Sequence, residues 1–383
     1  MNFSSLPALP ILDASGKQRR NHIFSGFVSD YARYIGVKLV GYRLFGRSAP
    51  KAVIDLAVQS ATKPSKNGFQ TFLKRQFLIG QSRWAHHFFR QHKRALFVVW
   101  NGTKGNRMLL ANAAEDCGHT VYYFEEAPLP KRITIDTKGV NYGSSLPRDP
   151  QFFRTWAAQS GIAQDAWRKQ GADLLARQSN RSDVGQGAAA SDLTRENYIF
   201  CPLQVPGDSQ ITIYGDWIKS VEQMIHELHT ASHSLPDGWH LRIKEHPSAR
   251  IAFSDLLNSL QSDKFRIDNT TDTFAQVASS RAVLNVNSSV GLQSFFYDKP
   301  VIVLGQAFYD IVGLTHRAAS QADLKKLLSD PTTLNFNAEL RNAFMNYLDA
   351  EYYPYEDDVK SGKFTVKSVE ERDKRRDIIL GLL

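Results

Sequence analysis

Cysteine is nearly absent from this 383-residue chain: Cys117 and Cys201 are its only two, far apart and with no metal-ligand spacing around them. That pattern excludes a disulfide framework and a zinc site and suits a reducing compartment. Long apolar runs are missing too. No stretch approaches the roughly 18 uncharged residues of a membrane-spanning helix, and the opening MNFSSLPALPILDASGKQRR lacks the continuous apolar core of a secretory signal. The expected location is therefore cytoplasmic. Acidic residues are scarce at one end. Residues 1–94 hold sixteen Lys and Arg against Asp13, Asp30 and Asp55, a surplus of +13, so with a whole-chain charge of +9 the remainder carries about −4 by difference. Interleaved with Phe24, Phe27, Tyr31, Tyr34, Phe72, Phe77, Trp84 and Phe88, this segment suits an anionic partner such as a membrane surface or an acidic glycan. It suits equally well a set of basic solvated helix faces over an aromatic core. No aromatic strand-binding motif or zinc knuckle accompanies it, so nucleic acid is not an expected partner.

What is present is α/β rhythm. Hydrophobic and charged fractions are ordinary for a globular protein, and the length favours two domains. From Ala95 onward, ALFVVW reads as a buried strand, RMLLANAAEDCG as a helix closed by Gly118, and TVYYFE and RITID as further strands. A helical region from about Asp149 to Gln178 follows, and then QSNRSDVGQGAAASDLTR, small, polar and without period, which marks a linker. Beyond it, YIFCPLQ, WHLRIKEHP, AVLNVNSS and PVIVLG read as strands, with helices at Asp216–Thr230 and in VGLQSFFYD. Three divisions are expected: an acceptor-side domain over 1–185, a second α/β domain over 195–335, and terminal helices over 336–383 that pack back on the first. Two such halves give a cleft, the usual place for a nucleotide-sugar.

Four constellations sit where predicted strands end. In Asn287-Ser288-Ser289-Val290-Gly291, two hydroxyls and a glycine open a helix, so backbone N–H groups and Ser oxygens can face a phosphate, although serines there are also ordinary N-caps. In Lys244-Glu245-His246-Pro247, proline keeps the histidine out of helical geometry, and Lys244 and Arg242 add positive charge; a surface turn is the plain alternative. Glu125 and Glu126 place two carboxylates at the end of a buried strand. At least one should point toward the cleft; on the plain alternative one of them, Glu126 before Glu125, caps a following turn or pairs with Lys131 or Arg132. Asp208, in Gln204-Val205-Pro206-Gly207-Asp208, lies on a loop where Asp after Gly is more often a turn or cap than a catalyst.

These stretches together, WNGTKGNR, FEEAPLPKRITIDTKGVNYGSSLPRD, PLQVPGDSQ, IKEHP and NSSVGLQSFFYDKPVIVLGQAFY, resemble the capsule-polysaccharide biosynthesis family, in particular the retaining β-Kdo transferases of capsule and O-antigen assembly. The resemblance implies a GT-B glycosyltransferase architecture of two Rossmann-like domains facing a central cleft. It also implies CMP-β-Kdo as donor, held by the second domain, and no metal cofactor; the expected partners are a glycan or lipid-linked glycan acceptor and, through the basic segment 1–94, an anionic membrane at the inner face of the inner membrane. On it Asp208 falls at the nucleophile position and His246, Ser288 and Ser289 at CMP-binding positions; retention needs a second group to handle the acceptor proton, and Glu125, beside Glu126, is the residue expected in that part. Arg242, Lys244, His246, Pro247, Asn287, Ser288, Ser289 and Gly291 fall on the donor side, and Asn101, Gly102, Arg107 and Gln204 elsewhere in the cleft. The chain is similar also to bacterial sialyltransferases, which implies an inverting alternative with Glu125 or Glu126 as base. It departs from both patterns at Ala127, where glycine is usual. A non-catalytic subunit binding anionic glycans through residues 1–94 is the reading from another class.

Overall fold

A computed structural model describes residues 8–10, 18–30, 40–61, 65, 67–92, 95–174, 193–247, 249 and 253–383. The chain divides into two compact units, Met1–Leu146 with Leu348–Leu383, and Pro147–Tyr347. The first unit holds a four-stranded sheet in the order β1 (Ala8–Pro10), β2 (Leu96–Trp100), β3 (Thr120–Glu126), β4 (Ile133–Asp136). The first three strands run parallel and β4 is antiparallel to β3. Alternation along β2 sorts its side chains between the two faces. Leu96, Val98 and Trp100 pack with Phe24, Phe27, Val359, Val366 and Val369, whereas Phe97 and Val99 pack with Ala85, Phe89 and Leu110 of the helices Gly68–Arg90 and Gly105–Asp116.

The second unit holds a six-stranded parallel sheet of β5 (Asn197–Pro202), β6 (Trp239–Lys244), β7 (Phe265–Ile267), β8 (Ala282–Asn285), β9 (Val301–Val303) and β10 (His316–Arg317). Its order is β10-β9-β8-β5-β6-β7. Numbered within the unit, this is the 3-2-1-4-5-6 order of the Rossmann fold, in which the chain leaves the centre in opposite directions from β5 and from β8. All five buried positions of β5 and of β6 are expected for strands covered on both sides. One face rests on a core that includes Met224, Ile225 and Leu228 of the helix Val221–Ser232 and Leu324 and Leu328 of the helix Gln321–Ser329.

Three expectations are corrected. The change of unit does not fall at the polar linker, which lies mostly outside the described residues, but at Leu146/Pro147. Thus the helix Pro150–Ser160 belongs to the second unit, where Phe152 and Phe153 meet Tyr347 and Phe344 edge to face. The terminal helices expected over 336–383 also divide: Ala338–Tyr347 stays with the second unit and 348–383 joins the first. There Arg132, stacked on Tyr355, donates to the carbonyls of Asp349 and Tyr353 and pairs with the Asp349 carboxylate, which fixes the tail to β4. Finally, the helix expected in VGLQSFFYD is a five-residue α-helical turn, Ser289–Gln293, that tightens at once into a 3₁₀ turn, Ser294–Tyr297.

Candidate functional site

Residues at the carboxyl ends of β5, β6 and β8 enclose a pocket of about 650 Å³, open mouth included. It lies at the point where the strand order reverses, the place where open α/β sheets bind ligands. Pro202 and Leu203 come from β5, Lys244, Glu245, His246 and Pro247 from β6 and its loop, and Ser288, Ser289, Val290 and Gln293 from the turn after β8; Thr273 and Phe274 complete the wall.

The backbone that carries these side chains is pinned. Glu245 receives the Phe253 N–H at 2.7 Å and the Asn269 amide at 3.0 Å, while its own N–H donates to Asn269 Oδ1 at 2.8 Å. This sets the loop on which His246 and Pro247 stand. The Ser288 N–H donates to Asn285 Oδ1 at 2.7 Å, and Ser288 Oγ caps the following turn by accepting from the Val290 N–H at 3.2 Å. The buried Tyr309 hydroxyl stands 2.8 Å from Asn285 Oδ1 and 2.6 Å from the Ser288 carbonyl. Burial pushes its phenol well above the ordinary range, so it acts as a donor at any working pH.

Not every residue expected on the donor side faces the pocket. Arg242 does not: its guanidinium is held 2.6 Å from Glu196 and 2.8 Å from Asp268 and lies over Tyr198. Lys244 lines the pocket, but two of its three N–H donors go to the carbonyls of Asn269 and Thr271, and burial lowers its pKa. Asn287 and Gln204 hold each other, and the Asn287 amide donates to the carbonyls of Gln210 at 2.7 Å and Tyr214 at 3.1 Å, so this pair braces a loop. Gly291 is buried where a Cβ would stand 2.2 Å from the Tyr309 hydroxyl, so it serves close packing. The five-residue turn behind Ser288 also offers little macrodipole; hydroxyls and backbone N–H groups remain as anion donors. Asp208, after Gly207 at φ +75°, caps the helix Ser209–Tyr214 by accepting from the Gln210 N–H at 3.0 Å, and is not part of the pocket wall.

In the first unit, Glu125, next to last in β3, has one oxygen 2.5 Å from the Asn101 amide and the other 2.9 Å from the Glu126 N–H. Glu126 pairs with Arg19, while the Arg132 guanidinium is engaged by Asp349 and Tyr353. Asn101 and Gly102 adopt left-handed backbone at φ +69° and +74°, and Asn101 Oδ1 accepts from Thr103. Asn101 and Arg107, with Lys74, Phe77, Gln81 and Lys104, line a second, more open pocket at the end of β2. Among the described residues no group of three or more His, Cys, Asp or Glu is placed to share a metal ion. Sequence reasoning missed Asn269, Phe274 and Tyr309; each is far along the chain from the motif it supports, and nothing local marks it.

The chain is similar to several known proteins. Over 253 residues it is 27% identical to Protein FixF of Sinorhizobium fredii, covering 66% of this chain and 58% of that one. It is 26% identical to the capsule polysaccharide export protein KpsS of Escherichia coli, covering 53% of this chain and 66% of that one. The chain thus spans somewhat under two thirds of these two relatives. Among solved structures, the β-Kdo 2,7 transferase of Thermosulfurimonas dismutans KpsC superposes with a TM-score of 0.48 at 13% identity, over 93% of this chain and 98% of that one. The family described as capsule polysaccharide biosynthesis protein matches residues 174–353, which take in β5 to β10, the pocket and both motifs that line it.

Proposed function

We propose that the chain is a retaining β-Kdo transferase of the GT-B class that moves Kdo from CMP-β-Kdo onto a bacterial surface glycan or its lipid-linked precursor. The observation that carries this reading is the pocket at the reversal point of the six-stranded sheet, walled by the same His246-Pro247 and Ser288-Ser289 motifs on which the family resemblance rests. Leu203, Phe274 and Val290 offer an apolar surface to a base. His246, the Ser hydroxyls and the third Lys244 N–H offer donors to the phosphate.

In the proposed chemistry the Asp208 carboxylate attacks the anomeric carbon of Kdo while the bond to the CMP phosphate oxygen breaks, and CMP departs with the bonding pair. The acceptor hydroxyl oxygen then attacks the same carbon, the ester to Asp208 breaks, and the hydroxyl proton passes to Glu125. Donors around the leaving phosphate stabilise charge that develops in the transition state, without a divalent ion in the proposal. Asp208's use of one oxygen as a helix cap favours a second reading, an inverting transferase with Glu125 as base and Asp208 structural.

Calorimetric titration with CMP tests the donor side. His246→Ala should weaken CMP affinity about tenfold or more, a loss near 1.4 kcal/mol, with the thermal melt unchanged. Wild-type affinity in that variant would remove His246 from the site.

A further inference from the structure

The helix Gly68–Arg90 buries Leu78, Ala85 and Phe89 but turns Phe69, Phe72, Leu73 and Phe77 outward, at the i, i+3, i+4 and i+8 spacing of one helix face. Phe69 is 69% and Phe72 55% exposed. Beside that face runs the loop 42–47, which presents Leu44 at 65% and Phe45 at 83% exposure. The loop is not loosely attached. The Arg43 N–H donates to the Gly80 carbonyl at 3.0 Å, Arg83 donates to the Leu44 carbonyl, and Tyr42 stacks on Phe77 with ring centroids 6.0 Å apart. Gly80 admits the Tyr42 ring, since a Cβ there would meet it at 2.0 Å. The protein therefore holds seven large apolar or aromatic side chains out toward solvent on a fixed backbone, an arrangement that folding alone does not call for.

Charge identifies the occupant. Residues 41–92 contain nine Lys and Arg and a single acidic residue, Asp55, a net of +8. Arg43, Arg47, Lys51, Lys74 and Arg75 flank the apolar face; Asp55 offsets one charge between Lys51 and Arg75, and Asp116 offsets Arg47. Aromatic side chains rimmed by basic ones match the interfacial layer of an anionic bilayer, where rings enter the headgroup region and cations meet the phosphates.

We propose that this face, formed by the helix Gly68–Arg90 and the loop 42–47, docks the protein on anionic lipid membranes. The proposal is independent of the donor site. Flotation with vesicles of phosphatidylcholine alone, and of phosphatidylcholine mixed with phosphatidylglycerol, tests it. The protein should bind the anionic vesicles about tenfold or more tightly than the neutral ones, and lose that preference as salt is raised. The double variant Phe45→Ser/Phe72→Ser should lose about tenfold or more of the anionic binding while its melting temperature and CMP affinity stay as in the wild type. Equal binding to both vesicles would overturn the proposal, as would a double variant that floats like the wild type. So would light scattering that shows a wild-type dimer, split by the double variant, with no vesicle binding, because the face would then cover a second copy of the chain.

Discussion

At Gly291 the obvious reading of a glycine beside two serines, room for a phosphate, gives way to packing: an added Cβ would stand 2.2 Å from the Tyr309 hydroxyl and 2.5 Å from Asn285 Nδ2. Those two side chains also hold the Ser288 N–H and carbonyl. Gly291→Ala should therefore destabilise the protein by about 1–3 kcal/mol, the usual cost of overpacking a filled core, and weaken CMP binding by displacing Ser288. Urea unfolding and calorimetry read the two effects; a variant as stable as the wild type would contradict this account of the glycine. Arg242 and Lys244 carry a related lesson. Alternation along β6 puts both on one face, and both looked like phosphate ligands in the sequence. Their partners, Glu196, Asp268 and the carbonyls of Asn269 and Thr271, come from other elements, so only the fold reveals that Arg242 is neutralised and that Lys244 ties down a loop.

Among elements, the central strands of both sheets were legible because apolar runs such as ALFVVW and YIFCPLQ end in turn residues and are covered on both sides. The short edge strands β7 and β10 were not, having three and two residues and no pattern of their own. The helix Val221–Ser232 begins five residues later than Asp216, because Ser220 is its cap, accepting from the Gln223 N–H at 3.0 Å, while Asp216 takes left-handed backbone at φ +56°. The return of the tail to the first unit is braced also by Arg19, whose guanidinium joins Glu126 of β3 to Glu356 of the helix Glu356–Lys360. Hydrogen bonds from Arg19 outweigh burial and, with Lys360, hold the Glu356 carboxyl at about 2, below its ordinary 4.5. A depressed carboxyl contributes stability that is complete above the ordinary value and fades as pH falls from there toward 2. Glu356→Gln should flatten the melting temperature against pH in that window. A variant profile parallel to the wild type would show that the Arg19–Glu356 pair contributes nothing measurable to holding the tail.

For the whole molecule, two α/β units were readable from the rhythm of the sequence, but the place where the chain passes between them was not. A polar stretch announces a linker, whereas the passage at Leu146/Pro147 lies between ordinary folded elements, and the helix Pro150–Ser160 finds its apolar partners in Phe344 and Tyr347, far along the chain. The candidate residues divide between the units accordingly, with Glu125 and Asn101 in the first and Asp208 and the pocket at the reversal point in the second. The central claim is the proposed double displacement with Asp208 as nucleophile, and intact-protein mass spectrometry after incubation with CMP-Kdo in the absence of acceptor tests it most directly. The wild type and Glu125→Gln should gain the mass of one Kdo residue, while Asp208→Asn should gain none yet still bind CMP, because an amide is a far weaker nucleophile than a carboxylate. An Asp208→Asn variant that turns over near the wild-type rate, or an unmodified wild-type enzyme whose product is the inverted anomer, would contradict the account.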